Sequence, residues 1–180
     1  MYSLIRIIAI LIIVVIILFG IIAIVASDET SFTVSEQIGS PVTVVWRTLI
    51  NNDKTPEWNS QISRIKIVNG KRYQKGTELI VFLQDGSQEV ETRVEIISIV
   101  PEKKLVFLDI PGKKEPLLRS HQRAYQLKSL LDGSTELSVS ISYKAAGFIT
   151  RVFDRIYLRG FLMNAERSEL LKLKRYIENL

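Results

Sequence analysis

The sequence contains no cysteine and a single histidine, His121. Without thiols there is no disulfide framework, no thiolate nucleophile and no cysteine on which a lipoprotein could be processed. One histidine, with carboxylates that nowhere cluster at ligand spacing, leaves no recognisable zinc or iron site, so neither metal nor cofactor is expected. A glycine-rich phosphate loop is missing as well, because Gly70, Gly76 and Gly86 stand at strand turns. Charge is absent altogether from Ile7 to Ala26.

That uncharged run is the first feature present. About 20 apolar residues in helix rise roughly 30 Å, the thickness of a bilayer's hydrocarbon core. Residues 7–26 are therefore expected to form a transmembrane helix, with residues 1–6 as a flank before it and Ser27–Thr30 as a linker after it. Val25-Ala26-Ser27 offers the small residues of a signal-peptidase site, but the run exceeds the roughly 7–15 residues of a cleaved signal's apolar region, which favours an uncleaved signal anchor. Arg6 precedes the run and Asp28 and Glu29 follow it. The positive-inside rule then puts the N-terminus in the cytoplasm of a single-pass protein and the soluble domain, residues 31–180, on the periplasmic or extracellular side. Four linker residues reach at most roughly 14 Å, so the domain is held against the bilayer. Of the 24 basic residues only Arg6 precedes the run, so the rest of the chain carries four more basic residues than its 19 acidic ones. An excess of this size fits solubility and attraction to anionic lipid, and nucleic acid is not an expected partner.

The stretch SPVTVVWRTLINNDKTPEWN, residues 40–59, holds two helix starts of one design, Ser40-Pro41 and Thr55-Pro56, each with a tryptophan soon after it. Ser40 is placed to cap the first helix and Pro41 suits the first helical position. Val42, Val45, Trp46 and Leu49 follow as one apolar stripe. Asn51-Asn52-Asp53 ends this helix, and the second has barely a turn before Trp58. Ahead of the pair, Phe32 to Ile38 alternates as a strand. Behind it come six more strands punctuated by turns: Ile65 and Ile67 before Asn69-Gly70, Leu79 to Leu83 before Asp85-Gly86, Val90 to Ile96 before Pro101, Leu105 to Asp109 before Pro111-Gly112, Arg119 to Leu130 before Asp132-Gly133, and Leu137 to Tyr143. Connections this short join antiparallel neighbours. Gly147 to about Glu178 reads as one long helix, interrupted only by Gly160. The expected class is α+β.

In this order, the elements resemble the SRPBCC superfamily (START and polyketide cyclase/dehydrase-like, related to the birch pollen allergen). The resemblance rests on IGSPVTVVW (38–46), PEWN (56–59), Gly76 before a strand, VEIISIVPEKKLVF, YQLKSLLDGSTELSVSISY and LLKLKRYIE, and covers roughly residues 32–178. It implies a helix-grip fold: a seven-stranded curved antiparallel sheet, two short helices after the first strand that form a V behind a cavity, and a long C-terminal helix gripped by the sheet. The N-terminal span lies outside the family pattern. On this reading Trp46 is core and Trp58 borders the cavity.

Candidate site residues follow from strand period. If Tyr125 and Leu127 point inward, Arg119, His121 and Arg123 share that face, and Glu36 falls inward beside Val34 and Ile38. An inward Glu36 requires a base nearby. The alternative reading puts these charged residues in solvent. Tyr143, Phe161 and Met163 are further candidates for the cavity wall, although ordinary packing also accounts for them. Arg151, Arg155 and Arg159 repeat every four residues, either as a solvated face partly paired with Asp154 or as a contact for anionic headgroups.

The expected function is a membrane-anchored binding protein for a hydrophobic small molecule or lipid, held between sheet and C-terminal helix, with no residue assigned a catalytic role. Two rivals stand beside it. One is an enzyme of the polyketide cyclase or dehydratase kind, which would draw acid–base chemistry from Glu36, His121 or Tyr143. The other is a protein-interaction module with a filled core.

Overall fold

The structure, a computed structural model, describes residues 2–25, 29–70, 72–86, 88–112 and 118–180. The proposed cleavage site and the first half of the linker fall on Ala26, Ser27 and Asp28, outside the described residues. Helix α1 runs over Tyr2–Val25. Its described side chains, those of residues 5–18 and 20, are nearly all apolar and exposed. Among the described residues no helix is long and apolar enough to cross a membrane. The run of α1 whose side chains are described without a break, residues 5–18, is shorter than the roughly 20 residues a span needs.

Turn chemistry lays down the rest of the chain. Strands β1 (Glu29–Ile38), β2 (Ile62–Ile67), β3 (Glu78–Asp85), β4 (Gln88–Val100), β5 (Lys104–Ile110), β6 (Leu118–Ser129) and β7 (Thr135–Ala145) form one curved antiparallel sheet in the order β1-β7-β6-β5-β4-β3-β2. From β2 to β7 the chain meanders, each strand pairing with the one before it. β1 begins three residues earlier than predicted, so Glu29 and Thr30 belong to the sheet and not to a linker. Bulges at Ile62/Arg64, Ile96/Ser98 and Arg119/Gln122 interrupt the ladders, and such insertions bend a strand and increase its twist.

Between β1 and β2 lie α2 (Val42–Leu49) and α3 (Thr55–Trp58). Neither start uses the predicted cap. Pro41 occupies the N-cap position of α2, and the Ser40 carbonyl instead accepts from Thr135 Oγ1 at 2.8 Å. Thr55 is already helical, and its hydroxyl donates back to the Asn51 carbonyl at 3.1 Å. Burial of Val45, Trp46 and Leu49 on one side of α2, and of Trp58 on α3, holds the pair to the core.

The C-terminal helix has three parts: α4 (Gly147–Phe153), a π-helical turn (Asp154–Leu158) and α5 (Arg159–Glu178). Helix α5 presses Leu170, Leu173 and Ile177 into the core. Polar ties fasten it along its length. Arg123 on β6 forms an ion pair with Glu166, and the Gly39 amide donates to the Glu178 carboxylate at 2.8 Å, where Lys174 lies 3.0 Å away.

Leu173→Ala removes a side chain that is 1% exposed, and chemical denaturation followed by tryptophan emission should show a loss of about 2–5 kcal/mol. The Gly39 amide and then Lys174 hold the Glu178 carboxyl below its ordinary value of 4.5. A depressed carboxylate stabilises the fold above its unfolded pKa, and that contribution disappears as pH falls through the folded value. The stability gap between wild type and Glu178→Gln should therefore be widest above about pH 5 and close on acidification; equal gaps at both ends of the titration would refute the tie.

Candidate functional site

Alternation along the strands sends Leu79, Val81 and Leu83 of β3, Thr92 and Val94 of β4, Phe107 of β5 and Tyr125 of β6 to the concave face. With Leu49 of α2 and Trp58 of α3 they enclose a partly open cavity of about 200 Å³. Its volume is below the roughly 300–1,000 Å³ common for small-molecule sites, so it suits a compact occupant or one end of a longer molecule. Aromatic edges build part of the wall: Tyr73 meets Phe107 edge-on at 6.4 Å, and Phe107 meets Tyr125 at 6.2 Å. The Tyr73 hydroxyl donates to Asn52, and burial pushes its pKa up.

The polar residues of the wall come from β5 and β6. His121 Nδ1 lies 3.1 Å from Asp109 Oδ2, but the ring is not aligned for a hydrogen bond and this buried nitrogen has no hydrogen-bond partner. The imidazole stacks on Tyr143 with centroids 6.4 Å apart. Arg123 stands opposite Phe107 in the ladder and binds Glu166 through one terminal nitrogen, while its buried Nε is unpartnered. Burial alone would lower the Arg123 pKa, but Tyr125 and Glu166 more than offset it, and the guanidinium stays charged. Burial raises the Tyr125 hydroxyl despite the neighbouring arginine. The Trp58 indole Nε1 is a third buried polar atom without a partner. Unmade hydrogen bonds of this kind are uncommon in folded proteins, and here three occur in residues of one cavity wall.

Of the predicted site residues, Trp58, His121, Arg123 and Tyr125 line this cavity. Others lie elsewhere. The bulge at Arg119/Gln122, with Ser120 at φ +51°, inserts an extra residue, so Arg119 pairs with Lys144 and is exposed while His121 stays inside. Glu36 points to the inner face opposite Leu137, half-buried on the strand that packs against α5, and takes no part in the wall. Tyr143 is core: its hydroxyl donates to Asp154, and burial and then this bond raise its pKa. Asp154 is buried and also accepts from Thr30 Oγ1 at 2.7 Å, so it belongs to the core and not to a surface charge stripe.

Phe161 and Met163 are turned outward, and Leu162 between them is the residue packed on the core. The π-helical turn ahead of them shifts the phase of the helix relative to α4. Arg159 donates to the Ser31 carbonyl at 3.2 Å, Arg151 is half-buried and Arg155 is exposed. The C-terminal helix supplies no residue to the cavity wall. Leu170 and Leu173 fill the space beneath it, leaving an interstice of about 10 Å³ between helix and sheet. The site therefore lies between the sheet and the α2–α3 pair.

Sequence reasoning passed over Asp109, Phe107 and Tyr73. Period two from the buried Leu105 puts Phe107 and Asp109 on the inner face beside His121, so a signal for both was present. Tyr73 sits in an irregular connection and carries no such signal. Among the described residues no group of three or more acidic or histidine side chains is placed to hold a metal ion.

No family model matches the sequence. No curated protein matches it either. Solved structures do. Ara h 8.0201 superposes with a TM-score of 0.67 at 14% identity, over 84% of this chain and 99% of its own. A major latex-like protein 151 from Panax ginseng gives 0.66 at 12%, over 83% and 98%. Both are Bet v 1-like proteins of the SRPBCC helix-grip superfamily. At these identities the likeness establishes the fold, and this chain has the Bet v 1-like helix-grip fold.

Proposed function

We propose that the chain is a membrane-anchored binding protein for an apolar small molecule or lipid that presents a hydrogen-bond acceptor. One observation carries this reading: a partly open cavity lined mainly by apolar side chains, with His121 and Arg123 as basic residues of its wall. A guanidinium only donates, so a carboxylate, carbonyl or hydroxyl oxygen suits the Arg123 side of the wall. Roughly seven water-sized volumes fit the space. A compact molecule would be enclosed, and a lipid or isoprenoid would insert its acceptor end with the rest emerging through the open side. Bet v 1-like folds commonly bind hydrophobic ligands, in keeping with this role. Affinity comes from apolar area taken out of water, at about 25 cal/mol per Å².

The anchor is α1. Its helix and the uncharged run 7–26 support a span, the flanking charges support a cytoplasmic N-terminus, and the domain then sits on the outer side. Arg151, Arg155 and Arg159 add positive charge near the bilayer. His121 beside Asp109 favours, as a second reading, acid–base chemistry of the cyclase or dehydratase kind, with the two as the only proton-transfer pair on the wall among the described residues. The interaction-module reading predicts a filled core, which the cavity argues against.

Native mass spectrometry of the full chain, released from detergent after incubation with lipid extract, should show a stoichiometric bound mass; a chain that stays empty removes the binding reading. Val81→Phe fills the cavity and should weaken binding at least about tenfold, equivalent to about 1.4 kcal/mol. If His121→Gln abolishes turnover of a candidate substrate and leaves its affinity intact, the enzyme reading replaces the binding one.

A further inference from the structure

The first half of the C-terminal helix carries large apolar side chains that the core does not take. Ile149 is 81% exposed, Ile156 64%, Tyr157 56%, Phe161 55% and Phe153 50%. Four of these stand at successive four-residue steps, one stripe of a helix surface. Phe153, Tyr157 and Phe161 form a ladder of rings, with centroids 5.5 and then 5.9 Å apart. Their outer faces meet solvent. A contiguous exposed apolar patch of this kind marks a contact surface.

Charge and position identify what covers it. Between Gly147 and Met163 the only acidic residue is Asp154, which is buried and occupied by Thr30 and Tyr143. Every outward charge on the segment is therefore positive, with Arg155 beside Ile156 in sequence and Arg159 one turn beyond it. A second copy docked through this stripe would bring like charges together, whereas an anionic lipid surface matches them. Helix α1 touches α4, and only residues 26–28 separate α1 from β1. A bilayer that takes in α1 has its surface at α4.

We infer that the stripe Ile149, Phe153, Ile156, Tyr157 and Phe161 lies in the headgroup region of an anionic bilayer as an in-plane helix, a second attachment beside α1. It rests on the reading of α1 as a span. Rings at this depth lie roughly 5–10 Å into the boundary between headgroups and acyl chains, and the tyrosine hydroxyl faces water. The arginine stems run along apolar surface and carry their charge to the phosphates. Two attachments hold the domain in one orientation, which a single flexible tether does not.

The test uses the full chain in phosphatidylcholine–phosphatidylglycerol nanodiscs and two single-tryptophan additions, Ile13→Trp for α1 and Tyr157→Trp for the stripe, read against the buried Trp46 and Trp58. Lipids brominated high on the acyl chain should quench the Tyr157→Trp contribution at least about twofold, with weaker quenching from bromines at the chain ends. Ile13→Trp should respond most to the deep bromines. Quenched Ile13→Trp with unquenched Tyr157→Trp overturns the in-plane docking and leaves the span standing; if the same discs hold dimers, the stripe is a copy-to-copy contact. No quenching at either position overturns the span and the docking together. Phe153→Trp, at a neighbouring exposed position, repeats the reading should the first variant fold poorly.

Discussion

A buried carboxylate constrains the whole helical side of this protein. Asp154 sits inside the structure, where an unsatisfied charge would cost several kcal/mol, and its oxygens are met by the hydroxyls of Thr30 on β1 and Tyr143 on β7. Both donors belong to the paired strands at one edge of the sheet. The bonds fix where the C-terminal helix crosses that seam, and the helix opens into a π-helical turn at the same residue. The seating of α5 beyond it and the outward aim of the residues before it both depend on this crossing.

Two consequences divide the molecule. Downstream of the turn, α5 lies close to the sheet, with aliphatic side chains in the groove and polar ties at both ends, and little room is left beneath it. Open volume survives at the other end of the concave face, where short helices with few buried side chains cannot fill the curve. The cavity is thus a product of economy in α2 and α3. Its polar wall comes from the end of β5 and the bulged part of β6, where a ladder irregularity keeps His121 inside and turns Arg119 out.

Much of this was legible in the sequence because it depends on local rules. Turn residues marked nearly every strand end, and alternation placed Tyr125, Leu127 and Arg123 correctly, since no bulge lies between them. Tertiary irregularity limited the rest. A positive φ at Ser120 changes strand parity without any glycine to announce it, and the π turn shifts the phase of the C-terminal helix at residues that include no glycine or proline to mark it. Ser40 and Thr55 look like caps, yet long-range packing gives their groups other partners. For the same reason the cavity's location was misjudged: whether α5 or α2–α3 closes a space depends on how deeply each helix seats, and spacing does not encode that depth.

The pairing of β1 with β7 also bears on the order in which the chain acquires its structure. Partners such as Thr33 and Ser140 are 107 positions apart, so the seam that Asp154 rivets closes only after nearly all of the polypeptide has been made. Contacts of such separation form late, after local turns and hairpins. Until then β1, just beyond the apolar N-terminal helix, has both edges unpaired and open to improper partners, and pairing with β7 covers one of them. Ser31, Thr33 and Ser35 line the outward side of that strand, a polar composition that limits the hazard while the strand waits.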